Sequence, residues 1–510
     1  MNEPETIRHR GLVTVCAMAA TLMQALDSTI ANVALPYMQG GLSATADQVT
    51  WVLTSYITAA AIMTAPVGFL AARFGRKRLF LVSVGGFTAA SVLCGAALSI
   101  EQMVLFRLLQ GAFGAALVPL SQSAMLDMYP ARQRGQAMAI WGMGVMLGPI
   151  LGPTLGGWLT ESWNWRWVFY VNLPVGILAF AGLWVFMAAD SKTERRAFDW
   201  LGFGALSVGI GALQLMLDRG ELKGWFGSTE IIAEAAFCAL GLYLFLVHLA
   251  TADRPFIPPR IFRNGNFTAG LGIMFAVGVI LLATSALLAT WLQTLGGYPV
   301  YDAGLLLAPR GLGTMAAMLL AGRLAQRFDP RMVMAFGILL LAWTLWDMTA
   351  WTPDIDRWTL ILNTTLQGFA LGFVFIPLNV VAFATLDPAL RTDGTALVSL
   401  VRNIGSAIGI AAMSALLVSN TQVVHSSLAE HVTPLNRLFA MPGIAQYWDP
   451  ATAAGAAALN AEITRQATIV AYIDDFWLLL ALALAMLLML PLMRRPPRHA
   501  AAGAGHAAMD

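Results

Sequence analysis

Two charged residues lie inside long apolar segments and could do chemistry there. Asp27 is near the middle of a segment from about residue 12 to residue 36, and Arg107 lies in a segment from about 102 to 126. A central Asp costs roughly 2.5–3.5 kcal/mol on membrane-insertion scales, so it must face the protein interior or a water-filled cavity. There it could bind and release a proton, which makes Asp27 a candidate proton carrier. The alternative is a polar anchor that holds a neighbouring helix.

Arg107 needs a partner, because an arginine side chain does not lose its proton in proteins. On a helix, Gln110 and Gly111 share a face with Arg107 at spacings of three and four. Asp27 is the natural counter-ion. Pairing would favour a charged carboxylate and burial a neutral one, so proton affinity could be tuned between them. The alternative is a helix-packing role, but the corresponding position in an internal repeat is Thr364, which carries no charge.

Further polar side chains inside apolar segments are candidates for contact with a transported molecule. Arg310 and Arg402 could bind an anionic substrate or hold helices together, and Arg402 could instead extend its charge towards the membrane surface. The predicted substrate-binding residues are Gln24, Asn32, Gln110, Arg310, Arg402 and Asn403.

Two motifs suggest moving parts rather than chemistry. A glycine- and proline-rich run predicts close helix packing and a hinge, because small residues let helices approach and proline interrupts helix hydrogen bonds. A basic turn is either a topology signal or a source of ion pairs that hold one conformation closed. The first motif comprises Gly148, Gly152, Pro153, Gly156 and Gly157, and the second Gly68, Arg73, Gly75, Arg76 and Lys77.

No pattern in the sequence indicates an enzyme. We find no nucleophile–base set, phosphate-binding loop or metal-ligand spacing, and the cysteines Cys16, Cys94 and Cys238 are far apart. We therefore predict no metal and no cofactor. Without an ATP-binding module, any transport would draw its energy from an ion gradient.

The elements that must position these residues are membrane helices. The 510-residue chain is 58% hydrophobic and 11% charged, whereas a soluble domain is roughly 25% charged. Its net charge of +2 does not suggest a nucleic-acid partner. Lipid requires every backbone polar group to be satisfied within its segment, so these segments should be helices. We predict fourteen, at about 12–36, 50–72, 79–98, 102–126, 135–160, 167–188, 199–217, 230–250, 267–293, 303–322, 332–351, 358–384, 395–420 and 472–493.

The distribution of positive charge predicts the topology. Most of the 30 Lys and Arg residues fall in segments that are cytoplasmic if the N-terminus is cytoplasmic, as expected for inward-facing loops. Both termini should then face the cytoplasm.

An internal repeat divides the predicted helices into two bundles. Leu109-Gln110-Gly111 recurs as Leu366-Gln367-Gly368, and each is followed by Pro-Leu. Helices 1–6 therefore correspond to helices 9–14, with helices 7 and 8 inserted. We predict a bundle at 1–190, an insertion at 191–265, a bundle at 266–493 that includes a long outer loop at 421–471, and a cytoplasmic tail at 494–510.

Several motifs resemble those of one transporter family. The run Leu26–Pro36 resembles the first-helix motif of fourteen-helix drug:proton antiporters of the EmrB/QacA type, within the major facilitator superfamily. Resemblances extend over nearly the whole chain, at 68–77, 107–111, 148–157, 165–176 and 465–476. One departure is Ala72, where the general loop motif usually has Asp, which puts in doubt a cytoplasmic latch that uses that carboxylate.

The resemblance implies a major facilitator fold and a proton-coupled exporter of hydrophobic or amphipathic compounds in the bacterial inner membrane. It also implies that Asp27 and Arg107 couple export to protons, and that a periplasmic adaptor and an outer-membrane channel act as partners, with 421–471 as a docking segment. Three alternatives remain open: a dedicated exporter of one metabolite or fatty acid, a proton-symport importer, and a membrane receptor or enzyme scaffold that transports nothing.

Overall fold

The structure, a computed structural model, describes residues 10–130, 133–188, 197–432, 448 and 452–494. Within these residues the chain forms helices joined by turns, with no β-strand. The α-helices are α1 Arg10–Gly41, α2 Ala46–Thr64, α3 Val67–Phe74, α4 Arg76–Ala96, α5 Ile100–Gly114, α6 Leu117–Met128, α7 Arg134–Ser162, α8 Trp167–Tyr170, α9 Asn172–Phe186, α10 Trp200–Arg219, α11 Thr229–Thr251, α12 Gly265–Thr294, α13 Val300–Arg327, α14 Pro330–Met348, α15 Arg357–Ala384, α16 Arg391–Glu430 and α17 Ala453–Met489.

The helices follow the predicted segments. In the described part of the chain, twelve helical segments are long and apolar enough to cross a membrane, and the bent α2/α3 pair makes up to thirteen. The remaining predicted position, the fifth, is taken by α7, a helix of 29 residues. The all-helical, multi-pass architecture is therefore confirmed, and the count is close to the predicted fourteen.

The second predicted segment is broken into two helices at a proline. The chain bends by 57° between α2 and α3, where Pro66 caps α3. Proline lacks the amide hydrogen that a continuous helix needs, and its ring clashes with the preceding turn. Gly75 then joins α3 to α4 with φ at +87°, a conformation that favours glycine. The basic turn is therefore a sharp corner.

The most extensive helix packing recurs between the two halves of the chain. In the first half α1 packs along α7 and α2 along α5, and in the second half α12 packs along α16 and α13 along α15. Close backbone contacts recur too. Gly111 lies against the carbonyl oxygen of Tyr56, and Gly368 against that of Arg310.

The two inserted helices lie at the side of the bundles. Helix α10 packs against α2 and α16, whereas α11 packs mainly against α10. The outer face of α11 exposes large apolar side chains, including Phe237, Leu240 and Tyr243. Exposed apolar surface of this extent suits contact with lipid rather than with water.

Helices α16 and α17 are longer than a membrane requires. They contain 40 and 37 residues, which corresponds to about 55–60 Å at ~1.5 Å per residue, against ~30 Å of hydrocarbon. Both ends of the predicted outer loop 421–471 are therefore helical. His425 contacts Asn460 across these extensions at 3.1 Å. Residues 433–447 and 449–451 of that loop lie outside the described residues, as do residues 1–9 and 495–510.

Candidate functional site

Asp27 is fully buried and accepts hydrogen bonds from three side chains on two other membrane segments. Arg107 donates to one carboxylate oxygen at 2.7 Å, and Gln110 donates to the other at 2.8 Å. Asn172, at the start of α9, donates to that second oxygen at 3.1 Å. Asp27, Arg107 and Gln110 each have 0% of their surface exposed. The structure therefore brings the predicted pair together in the interior of the first bundle.

Arg107 is held by more than its counter-ion. Its Nε donates to the Val52 carbonyl at 3.0 Å, and Nη1 also donates to Gln110 at 2.8 Å. The guanidinium lies 4.2 Å from the ring centroid of Tyr56, within reach of a cation–π interaction. Its Nη2 has no hydrogen-bond partner among the described residues. The arginine thus joins α5 to both α1 and α2.

Uncharged polar residues complete the site, and sequence reasoning did not assign them to it. Asn172 also donates to Ser91 at 3.0 Å, and Ser91 donates to the Phe169 carbonyl at 2.8 Å. Cys94 contacts the Gln110 side-chain oxygen at 3.4 Å. These residues extend the network to α4 and α8. Asn172 lay within a family motif, which was the one available signal.

Gln110 differs from its predicted role. We expected a substrate contact, but the side chain is enclosed between Asp27, Arg107 and Cys94. It therefore belongs to the carboxylate network and does not offer a surface to a bound molecule in this conformation.

The arrangement compensates the negative charge of Asp27. A buried carboxylate is stabilised by an adjacent cation and by hydrogen bonds donated to it, and Asp27 has both. Protonation would remove its charge and weaken its interaction with Arg107. The guanidinium would then be a buried cation without a counter-ion, which costs several kcal/mol. Loss of the ion pair would therefore disturb the packing of α1, α2 and α5.

Helix α7 packs against α1 through Gly148, Gly152 and Gly156 of the fifth predicted segment, a contact that we call the glycine seam. A Cβ at Gly148 would lie 2.6 Å from the Ala25 carbonyl carbon, one at Gly156 would lie 2.9 Å from Ile30, and one at Gly152 would clash with Thr29. Thr29 also contacts the Gly148 carbonyl at 3.3 Å.

Two residues of the same motif differ from these contact glycines. Gly157 has no atom within 4 Å of an added Cβ, so it does not belong to the contact with α1. Pro153 lies within α7, and its side-chain surroundings fall outside the described residues.

The basic turn takes part in an ion-pair cluster that joins the two bundles. Asp127, at the end of α6, pairs with Arg76 of the turn and, at 2.5 Å, with Arg391 of the second bundle. Gly68 lies directly against Asp393 of α16. The cluster does not require a carboxylate at Ala72. We call the side of the molecule that carries this turn, where α1 also begins, the basic side.

The other two members of the turn contact the first bundle or their own neighbours. Lys77 donates to the Trp184 carbonyl at 2.7 Å. Arg73 lies over the ring of Phe74 at 5.7 Å.

Further contacts close the two bundles against each other on the basic side. Gln122 donates to Asn379 at 2.6 Å, and Thr395 donates to the Pro119 carbonyl at 3.0 Å. A Cβ at Gly135 would lie 3.1 Å from the Gly322 carbonyl oxygen. These contacts lie near the basic ends of α6, α7, α13, α15 and α16, so the bundles meet firmly at that side.

The remaining predicted substrate contacts are spread over three helices. Gln24 is half-buried and Asn32 is exposed, and with Ser28 they form a polar stripe at spacing four along α1. Asn403 is exposed and Arg402 half-buried on α16. The Arg402 side chain forms no hydrogen bond or ion pair with another described residue.

Arg310 is buried and ties α13 to α12. It donates to Ser285 and Thr284 at 2.7 and 2.8 Å and to the Leu281 carbonyl at 3.3 Å. Its Nε has no partner among the described residues, and none of its contacts is a carboxylate. This geometry matches the helix-joining interpretation of Arg310 and leaves its positive charge uncompensated.

Two helical bundles that meet on one side, with a buried ion pair inside one of them, define a multi-pass membrane protein of the transporter class. The chain belongs to the Major Facilitator Superfamily, whose family model matches residues 17–410. The superfamily predicted from the motifs is therefore confirmed.

The chain is also similar to individual members of this superfamily and to proteins of known structure. Multidrug export protein EmrB of Escherichia coli K12 is 33% identical over 504 residues, which cover 97% of each chain. Fatty acid resistance protein FarB of Neisseria gonorrhoeae is 36% identical over 424 residues, 83% of each chain. The crystal structure of the human organic anion transporter MFSD10 matches 94% of this chain and 100% of its own with a TM-score of 0.59, at 15% identity. That likeness shows the fold alone.

Proposed function

We propose that this protein is a proton-coupled antiporter that exports hydrophobic or amphipathic compounds across a bacterial inner membrane by alternating access. The observation that carries the proposal is the Asp27–Arg107 pair, fully buried among five membrane segments. The similarity to EmrB over 97% of the chain supports the substrate class. Both termini would lie in the cytoplasm, as the Lys and Arg distribution predicts.

Asp27 would take up a proton from the outer side and release it inside. Protonation would loosen its bond to Arg107, and α1 would shift along the glycine seam of α7. The contacts on the basic side, including Asp127 with Arg76 and Arg391, would then open towards the cytoplasm. Loss of the proton would restore the ion pair and the closed arrangement. Each proton would thereby drive one change of access.

The substrate would bind between the bundles, near the middle of the membrane, as in other transporters built from such repeats. The polar stripe of Gln24 and Asn32 would contact it from the first bundle. Arg402 and Asn403 would contact it from the second. Apolar side chains would supply most of the remaining surface, which suits compounds of varied shape.

A second candidate function is the export of acidic amphiphiles, and Arg402 favours it. This half-buried cation lies about eleven residues, or ~16 Å, from the start of α16 at Arg391. It has no ion pair with a described residue. A carboxylate on the substrate would supply the missing charge. The similarity to FarB, named for fatty acid resistance, is consistent with this candidate.

The helical extensions of α16 and α17 would provide the docking site for a periplasmic adaptor. They project beyond the hydrocarbon on the side opposite the basic side, and they carry exposed polar residues such as Gln422 and Gln466. An adaptor would pass the substrate to an outer-membrane channel.

The test is transport in sealed vesicles in which the cytoplasmic side of the protein faces outwards, that is, inverted membrane vesicles. An imposed pH gradient, acidic inside, should drive a lipophilic dye or a fatty acid into the vesicle lumen, in exchange for protons. Accumulation in right-side-out vesicles instead would indicate import by symport. Binding of the compound without any flux would indicate a receptor.

A further inference from the structure

A second carboxyl group is buried in the C-terminal bundle. Asp475 lies in the membrane-spanning part of α17, and 0% of its surface is exposed. Neither of its carboxylate oxygens has a hydrogen-bond partner among the described residues. Asp27, by contrast, accepts three hydrogen bonds and faces an arginine.

The charged groups on α12 and α14, both packed against α17, are absent or already engaged. Helix α12 contains no charged or titratable residue. Helix α14 carries Arg331, which donates to the Met493 carbonyl at its basic end, and Asp347, which accepts from Asn363 at its other end. Neither forms an ion pair with Asp475.

The remaining neighbours do not compensate the charge either. On α16, Arg391 pairs with Asp127, Asp393 lies against Gly68, Arg402 is unpaired, and His425 and Glu430 lie on the extension. On α17, Tyr472 donates to Thr290, and Glu462 pairs with Arg465. Asp474, the neighbour in sequence, is half-exposed and of the same charge.

An ionised carboxylate in this position would be unfavourable. Burial of a charge without a counter-ion or hydrogen bonds costs far more than burial of the neutral acid, so such groups become neutral. A protonated Asp475 needs no counter-charge, and although it still gives up its hydrogen bonds to water, that cost is far smaller than the cost of burying an isolated charge. The two buried aspartates thus differ: the surroundings of Asp27 suit a charge, and those of Asp475 suit a bound proton.

We propose that Asp475 is a second proton-binding site, which holds a proton in the conformation described here and releases it when the bundles rearrange. The step is a simple dissociation, in which the carboxylic acid gives a carboxylate and a proton to water that reaches it. This proposal rests on proton-coupled antiport as the function. It adds one proton to the transport cycle beyond the one that Asp27 carries.

Infrared spectroscopy tests proton binding without any need for transport. In the purified protein in lipid, the carbonyl stretch of a protonated carboxylic acid can be followed as pH is raised. Asp475→Asn should remove one such band, and the matched control Asp474→Asn should leave it. If the wild type and Asp475→Asn show the same protonated-carboxyl bands, the proposal is wrong.

The transport stoichiometry tests whether this proton takes part in the cycle. With the membrane potential abolished, each coupled proton contributes about tenfold to the limiting substrate gradient per pH unit. Asp475→Asn and Asp475→Leu should both lower that limit by about tenfold per pH unit, whereas Asp474→Asn should not.

An unchanged limit in folded variants would overturn the proposal. If the wild type itself builds no gradient, the proposed antiport fails, and the infrared bands still report on Asp475 separately.

Discussion

At the scale of single residues, Arg107 makes a set of contacts that another positively charged side chain could not reproduce. Its Nε and Nη1 reach three different acceptors, while its flat face lies over Tyr56 at 4.2 Å. A lysine ammonium is a point charge on a flexible stem and does not reproduce this fork.

We therefore expect Arg107→Lys to reduce proton-driven export by at least about tenfold. The lost hydrogen bonds to Val52 and Gln110 should also lower the melting temperature of the purified protein. Arg78→Lys, at an exposed position on the basic side, is the matched control and should leave both unchanged. Normal export by Arg107→Lys would show that charge alone is enough.

Arg402 provides a residue-scale test of substrate charge. If it binds an acidic group, Arg402→Gln should lower the export of a fatty acid by about tenfold, the loss of one charge-assisted contact of about 1.5 kcal/mol. Export of a cationic dye should change little or improve. Competition between the two compounds in vesicles measures the ratio of their export rates directly. An equal effect of the substitution on both export rates would argue against anion recognition.

Sequence reasoning could pair Asp27 with Arg107 because a charged residue inside an apolar membrane segment needs a partner of opposite charge in the protein interior. It could not assign Asn172 or Ser91, since uncharged polar residues are common in membrane helices and only the folded arrangement turns them towards Asp27. The same limit applies to Gln110, which the sequence placed near the substrate. Asp475 was visible as part of a motif, but its isolation from any cation depends on the packing of four helices.

At the scale of helices, the seam between α1 and α7 should tolerate no added bulk. Gly152→Ala would place a methyl group into Thr29, and overpacking of this kind typically costs about 1–3 kcal/mol. We expect a lower melting temperature and slower export. Gly157→Ala is the control in the same helix, because an added Cβ there meets no atom within 4 Å. Equal effects of the two substitutions would contradict the assignment of the seam.

Helix positions followed from hydropathy, but helix ends and breaks did not. The apolar pattern ends near residue 420, whereas α16 continues to Glu430. Alanine and polar residues sustain a helix in water without extending the hydropathy signal. The break at Pro66 was readable in principle, because proline interrupts helices, but the 57° angle and the packing of α3 against α16 became visible only in the structure.

At the scale of the whole molecule, the two bundles carry different charges. The first holds a compensated ion pair, and the second holds Arg310 and Arg402 without carboxylate partners among the described residues. The repeat in the fold is therefore not a repeat in chemistry. Within the described part of the chain, the two bundles thus differ in their buried charges: the first holds the Asp27–Arg107 pair, and the second holds unpaired arginines and the isolated carboxyl group of Asp475.

The closed basic side predicts a conformational response to loss of Asp127. Asp127→Asn removes the carboxylate shared by Arg76 and Arg391, so the population that is open on the basic side should rise. Spin labels at exposed positions 78 and 327, on the basic ends of the two bundles, should show a longer distance in the variant. Asp354→Asn, on the opposite side, is the control. An unchanged distance distribution would mean that the cluster does not hold the bundles closed.

The central claim is that export is driven by a proton on Asp27, and the most direct measurement is proton flux in sealed vesicles. An imposed substrate gradient should drive measurable proton movement in the opposite direction with the wild type. Asp27→Asn should retain the fold and bind substrate but move no proton against it. Proton flux in Asp27→Asn equal to that of the wild type would contradict the account.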